Sequence, residues 1–335
     1  MRRLAPSRPA TSILTIGVLL AVLSGCDLLS GAAGDQGRDG RPPGGLEKTS
    51  IELGILPVVD AASAAIAQAE RYFRAEGLQV ELVPMPAEGA AVPGLVNGEL
   101  DATFGNYVSF IAAQYQQVGD FRLISDGYQA TECTFVIVAK PDSGIRLPLD
   151  LAGKRIAVNT FNNIVELTAR SALQTNGVDP NSVEFVELGF PDMIPALQNN
   201  QIDAAVLVEP FITEAQRSLG VRPVLDAASG PTAEIPIAGY AVTREFAEQN
   251  PTTVAALQRA LAKGLRDARE RRTVENILPS YTEIDEQTAA LIPIGTFPTS
   301  LDATRLQRIA DLMSQFGVLN QPFDVAPMIQ PPAGG

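Results

Sequence analysis

The sequence predicts an α/β protein made of two Rossmann-like lobes. Three observations lead there. From residue 50 onward, segments with strand alternation and segments with a helical apolar period take turns, the pattern of a parallel sheet covered by helices on both faces. An internal echo, Leu95-Val-Asn-Gly-Glu-Leu-Asp-Ala and Leu197-Gln-Asn-Asn-Gln-Ile-Asp-Ala, recurs 102 residues apart. With 335 residues and 46% hydrophobic content, the chain can fill two cores of ~150 residues each.

The elements follow in order. Residues 51–56 read as a strand, 61–75 as a helix with Ile66, Ala69 and Phe73 on one face, and Gly77 as its C-cap. Residues 78–83 alternate like a strand. A helix through Leu95, a short strand at 102–104, a helix from Val108 and a strand from Phe121 come next. Thr131-Glu-Cys-Thr-Phe-Val-Ile-Val is another strand pattern, in which Cys133 reads as a small buried hydrophobe. The second stretch repeats the alternation, with a strand at 154–159, a helix at 164–174 ending near Gly177, a strand at 183–188, a helix after Pro191, a strand at 204–208 and a helix from Phe211. After a strand at 237–242, residues 251–272 and 302–316 read as helices. In the echo, Asn97-Gly98 and Asn199-Asn200 supply residues that tolerate the positive φ of a C-cap before the next strand.

The N-terminus carries an address. Arg2, Arg3 and Arg8 precede an apolar run from Ile13 to Leu23, with no acidic residue before Asp27. This reads as a secretory signal and is too short for a transmembrane helix of about 20 residues. Leu23-Ser-Gly-Cys26 resembles a bacterial lipobox, which makes residues 1–25 a lipoprotein signal peptide and Cys26 the lipidation site. Residues 26–48, rich in glycine, read as a flexible tether with a reach of about 25 Å.

Composition excludes several function classes. The net charge is −13, and about −16 once the three signal arginines are removed, which argues against nucleic acid and against adhesion to anionic lipid. The chain has no histidine, so the commonest metal ligand, the usual general base and the Ser-His-Asp triad are missing together. No metal site and no cofactor are expected. With Cys26 lipidated, Cys133 has no partner for an intramolecular disulfide.

Several segments resemble one family. They are Gly54-Ile-Leu-Pro, Tyr72-Phe-Arg-Ala-Glu-Gly-Leu-Gln-Val-Glu-Leu, Leu95 to Gly105, Leu151-Ala-Gly-Lys-Arg-Ile-Ala-Val158, Leu197 to Phe211 and Gly239-Tyr240, with Phe316-Gly317 and Pro322-Phe-Asp-Val325 near the end. Together they resemble the solute-binding proteins of ABC importers, within them the nitrate, sulfonate, taurine and thiamine-precursor family. The resemblance implies a type II periplasmic-binding-protein fold, with two lobes joined by a two-strand hinge. Lobe I takes residues 49–134 and 240–330, lobe II takes 140–232, and the hinge lies near 135–139 and 233–239. It also implies partners: a small-molecule solute, an ABC permease and its ATPase subunits, and a membrane reached through the lipid on Cys26. The protein is expected outside the cytoplasm, on the cell membrane, as a monomer.

Ligands of open parallel sheets bind beyond the carboxyl ends of the strands. That rule nominates Asp60 after the first strand, Asn106 and Tyr107 after the third, and Asp126, Tyr128, Thr131 and Glu132 after the fourth. In the second lobe it nominates Asn159, Thr160, Asn162 and Asn163, then Phe190, then Glu209. Asn162 or Asn163 is placed as an N-cap, with free N–H groups that favour an anion or carbonyl. Tyr107, Tyr128, Phe161, Phe190 and Tyr240 are expected as flat walls, while Phe110 belongs either to the wall or to the core. Glu209 either touches ligand or caps the helix after Pro210. Carboxylates without lysine or arginine in these loops hint at a neutral or nitrogen-rich ligand more than a bare sulfonate, and make nitrate less expected.

The function expected is solute capture, not catalysis. Two alternatives stay open. One is an enzyme on the same fold, although pyrimidine synthases of this type depend on a histidine and a cysteine-rich segment, and this chain has neither. The other is a receptor that presents its ligand to a sensor.

Overall fold

The computed structural model describes residues 45–85 and 88–332, apart from the side chain of Glu88. The expected signal peptide, Cys26 and most of the expected tether lie outside the described residues. Ten strands follow in chain order: β1 (Ser50–Ile55), β2 (Gln79–Pro84), β3 (Ala102–Asn106), β4 (Phe121–Gln129), β5 (Phe135–Ala139), β6 (Arg155–Val158), β7 (Glu184–Glu187), β8 (Ala204–Val208), β9 (Arg222–Asp226) and β10 (Pro236–Thr243).

They form two five-stranded sheets of the same plan, β2-β1-β3-β10-β4 and β7-β6-β8-β5-β9. β1 runs parallel to β2 and β3, and β6 parallel to β7 and β8. In each sheet the fourth strand is reversed: β10 is antiparallel to β3 and β4, and β5 to β8 and β9. The reversal has a simple cause. Each reversed strand is the one that arrives from the other lobe, so it enters its sheet at the edge facing that lobe, where the parallel strands end.

This membership moves the expected hinge. Residues 135–139 are strand β5 of the second sheet, and 236–239 are the start of β10 in the first. The chain passes between sheets at 130–134 and 227–235, a few residues earlier than expected. The hinge position came from the resemblance, whereas the strand pattern read in Phe135-Val-Ile-Val is the one the structure forms as β5.

The echo turns out to be one structural device used twice. Gly98 and Asn200 have φ of +73° and +56°, the left-handed turn that ends a helix. Asp101 then accepts the Glu52 N–H at 3.0 Å, and Asp203 accepts the Arg155 N–H at 2.9 Å. Each aspartate staples the start of the neighbouring strand, and β3 and β8 follow at the same place in their sheets.

Three local expectations are corrected. The helix expected over 61–75 is Ala62–Ala69 followed by Tyr72–Ala75, broken at Arg71 with φ +60°. The break turns Tyr72 toward helix Pro251–Asp267, where its hydroxyl donates to Asp267 at 2.5 Å. The helix expected over 251–272 stops at Asp267, and a new one spans Arg271–Ile277. Cys133 is exposed, not buried, and has φ +65°. It lies in the turn between sheets, closed by the Thr134 hydroxyl on the Thr131 carbonyl at 2.6 Å, and its N–H donates to Asp226 at 2.8 Å.

Candidate functional site between the two sheets

A cavity of about 120 Å³ lies between the carboxyl ends of the two sheets. That is near the roughly 150 Å³ of a cavity known to hold benzene. From the first lobe come Leu56, Pro57, Val58 and Asp60 beyond β1, with Phe104 of β3 and Ile237 and Ala238 of β10. From the second come Phe135 of β5, Asn159 and Thr160 beyond β6, Ile164 and Val165 opening the next helix, and Gly189, Phe190 and Pro191 beyond β7. Val208 ends β8, and Phe211 follows it. Phe190 and Phe211 stack, with centroids 5.4 Å apart and planes at 17°.

Of the residues nominated from sequence, Asp60, Asn159, Thr160 and Phe190 line this cavity. The three tyrosines do not. Tyr107, Tyr128 and Tyr240 are 0%, 2% and 0% exposed and belong to the core of the first lobe. Their hydroxyls are engaged there. Tyr107 donates to Asp126 at 2.7 Å, Tyr128 accepts the Gly295 N–H at 2.5 Å, and Tyr240 accepts the Ala64 N–H at 3.1 Å beside Ser63. Phe110 is also core, and Phe161 is exposed outside the lining.

Asp126 and Tyr128 are misplaced for a clear reason: β4 runs to Gln129, so both lie within the strand rather than in a loop after it. Asp126 is buried, accepts from Tyr107 and from the Gly127 N–H at 3.0 Å, and is paired with Arg305. Burial comes first among its influences and leaves its pKa above the usual value despite that arginine. Thr131 is taken up in the turn before β5. Glu132 is exposed in the same turn.

Asn106 and Asn163 are caps, and Asn162 is not. Asn106 holds the N-terminus of helix Tyr107–Tyr115, accepting the Ser109 N–H at 2.8 Å. Asn163 caps helix Ile164–Thr175 through the Ile164 N–H. Asn162 has φ +54° and is exposed, and its N–H donates to the buried carboxylate of Glu166 at 2.6 Å. The Phe161 N–H donates to Glu187 at 3.1 Å. The loop expected to offer N–H groups to an anion therefore spends two of them on carboxylates of its own chain.

Glu209 completes the pattern. It caps helix Phe211–Leu219, accepting the Thr213 N–H at 3.1 Å and its hydroxyl at 2.9 Å. It lies behind the lining, between Val208 and Phe211, and is 4% exposed. Burial pushes its pKa up from 4.5 to about 7, against the two bonds from Thr213. Burial pushes the Tyr128 phenol well up as well, and the nearby charges of Asp60 and Glu209 add to it. Glu209 of the second lobe and Asp60 of the first thus both come near Tyr128. Among the described residues lining the cavity, Asp60 is the one ionisable side chain. An anion at this site meets the Asp60 carboxylate; beside it Asn163 holds the N-terminus of helix Ile164–Thr175, while helix Phe190–Gln198 starts at Gly189 with no side-chain cap.

The NMT1/THI5-like family profile matches residues 59–272, well over half of the sequence. The chain belongs to this family. The NMT1/THI5-like chain is 28% identical over 226 residues to the taurine-binding periplasmic protein of Escherichia coli K12, covering 66% of each chain. It spans 66% or less of the length of the curated relatives it matches. Among solved structures, the ligand-binding component of an ABC-type import system from Staphylococcus aureus superposes with a TM-score of 0.73 at 16% identity, over 85% of this chain and 97% of that one. The aliphatic sulphonate binding protein SsuA of E. coli gives 0.68 at 19% identity, over 85% and 93%. This NMT1/THI5-like chain therefore has the periplasmic binding protein fold, with its cavity where the two α/β lobes face each other.

The apolar wall has little signature in the sequence. Leu56, Phe104, Phe135, Ile164, Val165 and Ile237 look like any core residue of a strand or helix, and no local signal separates a cavity wall from a filled core. Phe211 had a signal, since it closely follows the nominated Glu209.

Proposed function

We propose that this chain is the extracytoplasmic solute-binding component of an ABC importer. It takes a small, mostly apolar solute that is neutral or carries a nitrogen base. One observation carries the ligand class: the cavity between the lobes is walled mostly by apolar side chains, and its one ionisable lining group among the described residues is the Asp60 carboxylate. An anion placed there faces Asp60 in a low-dielectric setting, whereas a protonated or hydrogen-bond-donating nitrogen is favoured by it. The relatives named for taurine and sulphonate support the solute-binding role, while a sulfonate in this cavity would meet the carboxylate of Asp60. Phe190 and Phe211 would flank a flat or aliphatic body.

Capture makes and breaks no bond in the solute. The lobes close, water leaves, and the closed form docks on a permease whose ATPase subunits supply the energy. The expected lipid on Cys26 would hold the protein at the membrane, where the glycine-rich segment gives it slack to reach that partner.

The test is ligand-induced stabilisation. A panel of taurine, alkanesulfonates, nitrate, amines and nitrogen heterocycles is screened by melting temperature. A cognate solute at 100 times its Kd adds about 2.7 kcal/mol. A response to amines or heterocycles supports the proposal. A response confined to sulfonates or nitrate overturns the ligand class, and silence across a broad panel overturns solute binding itself.

A further inference from the structure

The first lobe has a second concavity at the end of β4, which shares no lining residue with the described cavity. It measures about 590 Å³ and is lined by polar groups. Arg269, Arg271 and Arg305 converge on it from three places: the turn after helix Pro251–Asp267, the start of helix Arg271–Ile277, and helix Ala303–Gln315. Gln129, Thr296 and Thr299 add neutral donors and acceptors. Three guanidinium groups around one opening run against the whole chain, whose net charge is −13.

Their partners do not use them up. Arg305 reaches Asp126 and donates to Gln129 Oε1 at 2.8 Å, but its Nε is buried without a hydrogen-bond partner among the described residues. A buried donor left unmade costs free energy, so such a group calls for a partner such as a water or an ion. Arg271 donates to Glu275 at 2.6 Å and to the Ile292 carbonyl at 2.8 Å, and is half exposed. Arg269 is exposed and makes no side-chain bond among the described residues. Among the described residues Asp126 pairs with Arg305 and Glu275 with Arg271, while the Arg269 guanidinium has no ion-pair partner.

We propose that this pocket is an oxyanion site, taking a small solute that bears a phosphate, sulfate or carboxylate group. Arginine matches such groups through paired, charge-assisted donors. The site is separate from the cavity between the sheets and has the opposite electrostatic preference. It does not depend on the solute proposed for that cavity.

The experiment is titration calorimetry at low ionic strength with inorganic phosphate, sulfate and citrate, with chloride of matched ionic strength as the control. Wild-type protein should bind at least one of the three oxyanions. Arg269→Ala should weaken that binding by about tenfold, the worth of one charged hydrogen bond, and Arg269→Lys should recover part of it. Circular dichroism of Arg269→Ala should match wild type, because the side chain holds no internal contact; Arg271→Gln provides a second reading on the same pocket. No heat beyond the chloride control in wild type would overturn the proposal. So would binding that Arg269→Ala and Arg271→Gln both leave unchanged.

Discussion

Glu209 and Thr213 are joined twice: the carboxylate takes both the backbone N–H and the hydroxyl of Thr213, at 3.1 and 2.9 Å, one helical turn along. The cap fixes where Glu209 points and buries it behind the cavity wall. Burial dominates over the two bonds, and the carboxyl ends with a pKa of about 7 instead of 4.5. Because the folded value is raised, the protonated form is the one folding favours. Below pH 4.5 both states are protonated and there is no penalty. As pH rises from 4.5 through about 7, stability is lost, and above that the loss is complete. At about 1.4 kcal/mol per pH unit the loss is about 3 kcal/mol. Glu209→Gln removes the titration and keeps an acceptor for Thr213. The difference in unfolding free energy between variant and wild type should shift in the variant's favour by about that amount between pH 4 and pH 8. Chemical denaturation at the two pH values checks it, and a pH-independent difference would contradict a buried, titrating Glu209.

Phe190 should matter to ligand and little to the fold. It is half-buried, stacked on Phe211 and exposed to the cavity. Phe190→Ala should weaken the cognate solute by about tenfold, the worth of one aromatic contact of roughly 1 to 1.5 kcal/mol. A melting curve without ligand should move far less than the binding isotherm.

Tyr107 gives the opposite outcome. Its hydroxyl serves Asp126, deep in the first lobe and away from the cavity. Tyr107→Phe leaves a buried carboxylate short of a donor and should cost about 1 to 3 kcal/mol of stability, with solute affinity unchanged. A change in affinity with no change in stability would return Tyr107 to the site.

Arg217 spans the two lobes. It belongs to helix Phe211–Leu219 in the second, and its guanidinium donates to Thr288 in the first, beside Asp285, whose pKa is lowered first by its bonds from Thr288 and then by the charge of Arg217. Arg217→Ala should favour separation of the lobes. Small-angle scattering should report a larger radius of gyration without ligand, and solute affinity should fall a few-fold, mainly through faster release.

Cys26→Ser separates the expected anchor from the site. The variant should leave the membrane fraction while binding solute with unchanged affinity. Equal membrane retention would contradict a lipid anchor at Cys26, and would leave the cavity untouched.

How much of this was legible depended on whether the signal was local. The echo at Leu95 and Leu197 correctly marked equivalent places in the two sheets, because C-caps and strand starts are short-range features: Gly98, Asn200, Asp101 and Asp203 act within a few residues of their own backbone or on one adjacent strand. The same locality placed Asp60, Asn159, Thr160 and Phe190 beyond strand ends. It failed for Asp126 and Tyr128, because the end of β4 is set by its pairing with β10 more than a hundred residues later. It failed for Cys133, because a chain crossing between sheets must turn where sequence alone shows a continuous strand pattern.

The two-lobe α/β plan, the expected address and the absence of histidine chemistry are all written in the order of residues, since periodicity, capping residues and composition act without knowledge of distant contacts. Packing alone divided the aromatic rings between core and wall, and it alone placed Asp60 in the wall of an apolar cavity and buried Glu209 behind it. Burial and electrostatic approach exist only once distant segments meet. A carboxylate pushed to a pKa of about 7 has no counterpart in the order of residues along the chain.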